Sequence, residues 1–423
     1  MSTERMAENS RRVLLIISQV YVPDPAAVGQ HIADVAEEMA RRGWRVVVYT
    51  SRRGYDDPSV KFPSREVLRG VEVRRLPLSS FGKGSIRVRL AGQALFMAQA
   101  VMRSVWMRRV NAVLVSTSPP FAGIGGSLVS LIRRASLTWW VMDINPDQMV
   151  TSGRLSATSP IARVFDAMNR MTLRRASHVV VLDRFMRDRI LAKQNVAEKI
   201  AVIRPWAHED RLAPLPHAEN PFRTQHGLSG KFVVMYSGNH GFSTPVATLL
   251  SAAQRLASMP DLMFVFIGGG VVKKDIDAIV SREAPPNILS LPYQPIEVIR
   301  YSLSAADVQV VSIANETVGV AHSCKIYGAM AIGRPVLSLG PRASHAGDIV
   351  VQEKIGWACE QGDVEGLVAT LLDIVRLPRE ELEQMGSRAM RAIRDRYSRQ
   401  RALNAVCDLI EDEDFSTVTG RVA

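Results

Sequence analysis

The sequence predicts an α/β protein built from two Rossmann-like domains, and three observations predict it. Short apolar runs of strand length alternate with amphipathic helical stretches along most of the chain. The rhythm stops in a polar, Pro- and His-containing stretch at 207–230 and then starts again. The 423 residues are too many for one ordinary domain and comfortable for two. Regular βα alternation gives parallel sheets with helices on both faces, and doing it twice gives two such domains facing each other across a cleft. The expected divisions are an amino-terminal domain at 1–206, a carboxyl-terminal domain at 207–395, and a last helix and tail at 396–423 crossing back to the first domain.

The elements follow in order. VLLIISQV (13–20) is almost continuously apolar, the mark of a strand covered on both faces. After the loop YVPDPAAVG comes a helix from Gln30 to Arg42, with Ile32, Val35, Ala36 and Met39 on one face and Gly43 as its C-cap. RVVVYTS (45–51), VEVRRLPL (71–78), NAVLVSTSPP (111–120), LTWWVMDI (137–144), SHVVVLD (177–183) and AVIRPW (201–206) are strands; 86–110, 121–135 and 160–176 are helices. The second half repeats the scheme. KFVVMYSG (231–238), LMFVFIGGG (262–270), NILSLPY (287–293), ADVQVVSI (306–313), RPVLSLG (334–340) and WACEQGD (357–363) supply strands, with helices between them and a charged helical tail at 379–412.

Composition narrows the class. Hydrophobic residues make up 47%, enough for a sizeable core in each half. Three widely spaced cysteines form neither a disulfide framework nor a zinc pattern, which points to a reducing compartment. The start, MSTERMAENSRR, has no apolar signal region, and no run of about 18 apolar residues predicts a spanning helix. A net charge of +12 calls for an anionic partner. Nucleic acid is set aside, because aromatic residues are only 6% and no recognition module is present.

In parallel sheets ligands sit beyond the carboxyl ends of the strands, so residues just after each strand are the candidates. Gly29, Gln30 and His31 open the first helix, where glycine admits close backbone approach and free amides favour phosphate; a plain βα loop is the alternative. Asp143, Asn145 and Asp147 follow WWVMDI and suit hydroxyl binding or proton transfer, or equally the N-capping of a helix. Gly238-Asn239-His240-Gly241 reads as a second close backbone approach, with His240 by itself a surface histidine. Tyr293 and Gln294 line a base pocket or form an ordinary loop.

After VQVVSIA, the stretch HSCKIYGAMAIGRPVL puts Lys325 in the first turn of a helix. A cation there opposes the helix dipole, so the position favours lysine only beside an anion. Phosphate binding is preferred over a lysine pointing to solvent. Rival signatures fail. The Gly268–Gly270 run lacks the third glycine of a dinucleotide fingerprint, which falls at Lys273, and no P-loop is present. The D-x-D pairs at Asp275/Asp277 and Asp412/Asp414 read as solvated faces.

Taken in order and spacing, the motifs resemble the GT-B-fold glycosyltransferases of family 4, group 1 type, in a branch acting in bacterial surface-polysaccharide assembly. The likeness covers roughly 12–410. It rests on P-D-P-A-x-x-G-Q with A-E-E-M-A-R-R-G-W-R-V-V-V, S-P-P, D-I-N-P-D, V-I-R-P-W-A, Y-S-G-N-H-G, L-P-Y-Q-P, A-A-D-V, and S-C-K-I-Y-G-A-M-A-I-G-R-P-V-L. The resemblance implies retaining transfer of a sugar from a nucleotide diphosphate, a UDP-sugar by family frequency, to a hydroxyl of a lipid-linked or saccharide acceptor. It implies no cofactor and no metal, with the donor mostly on the second domain and the acceptor on the first. Lys325 would then hold the diphosphate, with Gly29, Gly238, Asn239, Ser323 and Ile326 around the donor and Tyr293 and Gln294 at the base. Asp143, Lys325 and Glu316 form the implied catalytic set, Glu316 on sugar hydroxyls, and Gln30, His31 and Asp147 face the acceptor.

The chain also departs from the family. Gly328 stands where a second glutamate, a ribose ligand, would align, and Glu316 is offset from the usual first one. Arg and Lys are missing after the second-domain glycine loop, and Asp143 stands where many relatives have histidine. A sugar-nucleotide epimerase and an inactive nucleotide-sugar-binding scaffold are the rival readings. Finally, IRVRLAGQALFMAQAVMRSVWMRRV (86–110) is basic at both ends and apolar between. It reads as an interfacial helix, or as a core helix with snorkelling arginines. The first places the protein in the cytoplasm, peripheral to the inner face of the plasma membrane, with a polyprenyl-diphosphate-linked acceptor.

Overall fold

In the computed structural model, residues 11–24, 26–54, 57–79, 86–207 and 212–412 are described. The first ten residues, Pro25, part of the 207–230 stretch and Asp414 lie outside them. The chain divides into two compact units, the first running to Arg204 and resuming at Ala402, the second spanning Pro205–Arg401.

In the first unit the elements are β1 (Val13–Ile17), α1 (Ala27–Arg41), β2 (Arg45–Ser51), β3 (Arg65–Leu68), β4 (Val71–Leu76), α2 (Ile86–Val105), β5 (Ala112–Val115), α3 (Ala122–Arg133), β6 (Ser136–Trp140), α4 (Asp147–Thr151), α5 (Pro160–Arg175), β7 (His178–Val181), α6 (Arg184–Lys193) and β8 (Ile200–Val202). The eight strands lie in the order β3-β4-β2-β1-β5-β6-β7-β8. Every pair is parallel except β3–β4. β1 pairs on both sides and all five residues of VLLII are buried, so both of its faces are covered. The order reverses between β1 and β5, which makes their carboxyl ends the switch point of the sheet.

Three local differences from the sequence reading have physical causes. The edge strand β3 was not read, because its residues alternate exposed and half-buried and carry no apolar run. It joins β4 through Arg69-Gly70, both at positive φ (47° and 84°), as a tight hairpin turn matching strand twist requires. α1 starts at Ala27, three residues before Gln30, so Gly29 lies inside it and Gln30 and His31 stand past its first residues rather than at its start. α2 stops at Val105, where Arg133 donates to the carbonyls of Val105 (3.3 Å) and Arg108 (2.8 Å) and ties down the exit.

The second unit contains α7 (Pro221–Gln225), β9 (Phe232–Ser237), α8 (Ala247–Arg255), β10 (Leu262–Ile267), α9 (Lys273–Glu283), β11 (Ile288–Leu291), α10 (Ile299–Ser304), β12 (Val308–Ser312), α11 (Lys325–Ala331), β13 (Val336–Leu339), α12 (His345–Glu353), β14 (Gly356–Cys359), α13 (Val364–Arg376) and α14 (Arg379–Asp395). Its six strands are all parallel, in the order β11-β10-β9-β12-β13-β14, and the order reverses between β9 and β12. Val234, Phe264, Phe266 and Val308 from the sheet pack with Leu249, Leu367 and Leu371 from helices on one side. The stretch read as a linker is partly built into this unit. Asn220 caps α7, Phe222 is buried, and the buried Arg223 donates to the carbonyl of Leu228 at 2.8 Å and to that of Ala305 at 2.5 Å.

The last helix, α15 (Arg399–Glu411), joins the first unit from Ala402 onward. Arg42 at the end of α1 donates to Asp408 (2.6 Å) and Glu411 (2.7 Å), and the Trp44 indole N–H donates to Glu411 (3.0 Å). Cys407 is fully buried there, and burial pushes its thiol up to about 12. Arg42 is half-buried and also bonds Glu38 (3.0 Å), so three charge-assisted bonds converge on one guanidinium. Replacing Arg42 with Ala is expected to cost about 2–3 kcal/mol in urea unfolding and to expose the 402–412 segment to protease earlier than wild type.

Candidate active site

Four loops meet at the carboxyl edge of the second sheet, one after each of β9, β10, β11 and β12. The first two are laced together. Gly238 N–H donates to Ile267 O (2.9 Å), His240 N–H to Gly269 O (2.8 Å) and Val272 N–H to His240 O (3.1 Å). The approach is so close that a Cβ on Gly268 would lie 2.0 Å from Gly238 O, and one on Gly270 would lie 2.5 Å from His240 O. Gly268 and Gly270 are therefore a packing requirement of the Gly238–His240 loop. Tyr293, from the loop after β11, lays its ring over Gly269, within 2.9 Å of where a Cβ there would stand. Gln294 turns back to donate to Pro292 O (3.0 Å).

Lys325 reaches across this edge from α11. Its Cε would be 2.3 Å from a Cβ at Gly238, so the lysine stem lies in the space that glycine leaves open. Its ammonium lies 5.5 Å from the centre of the Tyr236 ring and makes no hydrogen bond or ion pair with the described residues. Burial holds its pKa below the usual lysine range. The result is a partly desolvated cation with no anionic partner at the point where strand order reverses between β9 and β12.

His240 corrects the sequence reading. It is fully buried, edge-on to Tyr236 at 4.7 Å and near Phe266 at 6.4 Å, and neither ring nitrogen has a hydrogen-bond partner. Burial, reinforced by the charges of Lys273 and Lys325, lowers its pKa to about 4, so the ring is neutral at physiological pH. The residues before Lys325 are also held firmly. His345 Nε2 accepts the Ser323 N–H at 3.0 Å and its ring stacks on His322 at 3.8 Å, and His322 Nε2 bonds the Tyr327 hydroxyl at 2.9 Å. Ser323 Oγ is buried without a partner. Ile326 is fully buried in the core, so only its main chain could face a ligand. Glu316 stands exposed in the turn Asn315–Thr317.

In the first unit the candidates separate into two groups. Gly29 packs on the backbone of Tyr21, 3.2 Å from where its Cβ would be, which gives it a local packing reason. Gln30 is half-buried beside it. His31 is buried, with Nδ1 2.8 Å from Ala27 O and its ring edge-on to Trp140. After β6, Asp143 N–H donates to Thr117 Oγ1 (3.1 Å), and burial raises its carboxyl pKa to about 6. A small cavity beside it is lined by Thr117, Trp139, Asn145 and Asn169. The Trp139 indole N–H is buried there with no partner, a donor the sequence reading passed over as strand apolarity. Asp147 is committed elsewhere, to Lys193 (2.7 Å) and Arg189 (3.2 Å), so neither N-capping nor a free carboxylate describes it. Asp277 of the first D-x-D likewise accepts from Lys273 and Ser290, both at 2.6 Å.

Residues 26–206 match the glycosyl transferase 4-like domain, and residues 219–392 match glycosyl transferases group 1. The chain belongs to the group 1 glycosyltransferases. It is 26% identical over 297 residues to the probable glycosyltransferase WbjE of Pseudomonas aeruginosa, covering 69% of this chain and 72% of that one. It is 22% identical over 380 residues to the putative colanic acid biosynthesis glycosyl transferase WcaI of Escherichia coli K12, covering 86% and 93%. Among solved structures, HepE of Anabaena in complex with UDP-glucose superposes with a TM-score of 0.70 at 17% identity, over 94% of this chain and 99% of that one. The fold is GT-B.

For this glycosyltransferase the glycine at 328 is not imposed by crowding. The nearest atom to a Cβ there is Leu212 Cδ1 at 4.0 Å, and the φ is ordinary helix. A larger side chain would fit, so the missing carboxylate is a choice of residue and not of space.

Two outcomes follow from these geometries. Lys325→Met keeps the stem and removes an unpaired, desolvated charge. The ligand-free variant is expected to match or exceed wild type by up to about 1 kcal/mol in urea unfolding; a clear loss would mean that Lys325 already has a partner. Asp143 bears a raised pKa, so the folded state holds its proton more tightly than the unfolded one between pH 4 and 6. Its burial therefore costs nothing below pH 4 and its full amount above pH 6. Asp143→Asn is expected to have a higher Tm than wild type at pH 8 and an equal one at pH 4.

Proposed function

We propose that this glycosyltransferase transfers a sugar, with retention of configuration, from a nucleoside diphosphate donor to a hydroxyl of a lipid-linked or saccharide acceptor in cell-surface polysaccharide assembly. The observation that carries the reading is the unpartnered Lys325 ammonium against Gly238 at the switch point of the second sheet. A diphosphate supplies the missing anion. Charge grows on the diphosphate as its bond to the anomeric carbon breaks, and a fixed, partly desolvated cation stabilises that charge more than water would. The Gly238–Asn239 loop gives backbone approach, Ser323 Oγ offers an unused hydroxyl, and Tyr293 presents an exposed ring for a base. HepE, which shares the fold, holds UDP-glucose, which favours a uridine donor here. In this reading no metal carries the diphosphate charge. Glu316 contacts sugar hydroxyls.

On the acceptor side, Asp143 is mostly ionised at neutral pH and binds the attacking hydroxyl, and Trp139 lines the cavity beside it. The colanic acid biosynthesis role in the name of WcaI supports a surface-glycan acceptor. The protein sits peripherally on the inner face of the membrane. Among the described residues no helix is long and apolar enough to cross one. Exposed Met102, Trp106, Leu131, Ile161 and Val164 on α2, α3, α5 and their ends, flanked by arginines, support surface contact.

The test is thermal stabilisation by a panel of nucleoside diphosphates on wild type and Lys325→Ala. A ligand at about 100 times its Kd stabilises by about 2.7 kcal/mol. UDP is expected to raise the wild-type Tm by several degrees and leave the variant unmoved. If no nucleotide shifts either protein, the donor-site reading fails.

A further inference from the structure

Away from the strand-end loops, the first unit holds an open cavity of about 530 Å³ in which seven of the eleven lining residues are arginines. It begins at the amino-terminal edge of the sheet, where Val13 of β1 stands beside Arg45 of β2, and extends over Tyr49 and its neighbour Arg74 of β4. Arg65 of the edge hairpin, which pairs with Arg74, and the end of α2 close it. Within this group Glu72 accepts from Arg45 (2.6 Å) and Arg74 (2.7 Å). Arg11, Arg65, Arg103 and Arg108 form no ion pair among the described residues. Burial works against ionised Glu72, but the two guanidinium bonds outweigh it and hold its carboxyl below the usual range.

A guanidinium does not give up its proton near neutral pH, so this crowding cannot be relieved by titration as a lysine cluster could. Only anions relieve it. Planar guanidinium forks bind phosphate oxygens in pairs, and several arriving from three strands and a helix end suit a multiply charged group better than a single carboxylate. We infer that this cavity is a second anion site of the enzyme, for a ligand carrying two or more phosphate groups, separate from the loops that hold Lys325. The inference uses none of the donor-site residues. The same chemistry comes from a soluble polyphosphate or from a phosphorylated lipid headgroup, and Trp106, 87% exposed on the cavity rim, is placed to report on either.

The experiment titrates the full chain with inorganic pyrophosphate, followed by calorimetry and by acrylamide quenching of Trp106, the most exposed of the six tryptophans. In Lys325→Ala protein one pyrophosphate site is expected to remain and to protect Trp106. Arg65→Ala/Arg103→Ala, added to that background, is expected to weaken it by about tenfold or more. Arg65→Lys/Arg103→Lys should recover part of the affinity if the fold is intact. Sedimentation with phosphatidylcholine vesicles, with and without cardiolipin, separates the sources. Cardiolipin-dependent binding released by pyrophosphate assigns the site to a lipid headgroup, and pyrophosphate binding without vesicle binding assigns it to a soluble ligand. Absence of any site in Lys325→Ala protein, or affinity indifferent to Arg65 and Arg103, overturns the inference. Failure of the donor reading looks different: pyrophosphate binding would be the same with and without Lys325.

Discussion

A single uncompensated charge organises the second unit. Lys325 lies in the space left by the absent side chain of Gly238, over the ring of Tyr236, with no anion among the described residues to meet it. Holding a cation there works against stability, since burial favours the neutral amine. The surrounding structure is built to keep it in place nonetheless. His345 fixes the amide of Ser323, His322 bonds Tyr327, and Ile326 and Tyr327 anchor α11 in the core. Strain of this sort is retained where a ligand relieves it.

The glycines show the same logic in backbone form. The loops after β9 and β10 hydrogen-bond to each other so closely that Gly268 and Gly270 admit no side chain. That pairing keeps the edge of the sheet open at Gly238, and it also buries His240 in a neutral state beneath the loop. Two parallel strands on either side of a switch point diverge at their ends, and here the gap between β9 and β12 is where Lys325 arrives.

Arginine does three separate jobs in this chain, and only burial and partners tell them apart. Arg223 is a buried donor to carbonyls that holds α7 to the second unit, and Arg75 is nearly inaccessible, tied to Glu66 and to Val22 O. Arg42 bonds the carboxyl-terminal helix. Arg65, Arg103 and their neighbours line an open cavity in which Glu72 pairs with Arg45 and Arg74. Net charge counts them all alike.

The strands of both sheets and their order along the chain were legible in the sequence, because a strand covered on both faces must be an unbroken apolar run, as VLLII and FVVMY are. The place of Lys325 in the first turn of a helix was legible as well, and a cation there conflicts with the dipole whatever surrounds it. The edge strand β3 was not, because an edge exposed on one side needs no apolar pattern. Tertiary structure alone decided that His240 is buried and not on the surface, that Asp147 is spent on Lys193 and Arg189, and that Trp139, its indole N–H buried without a partner, lines the cavity beside Asp143. It also gathered arginines from residue 11 to residue 109 into one cavity. Each of these depends on which residues meet across strands and loops far apart in sequence, and local chemistry carries no record of that meeting.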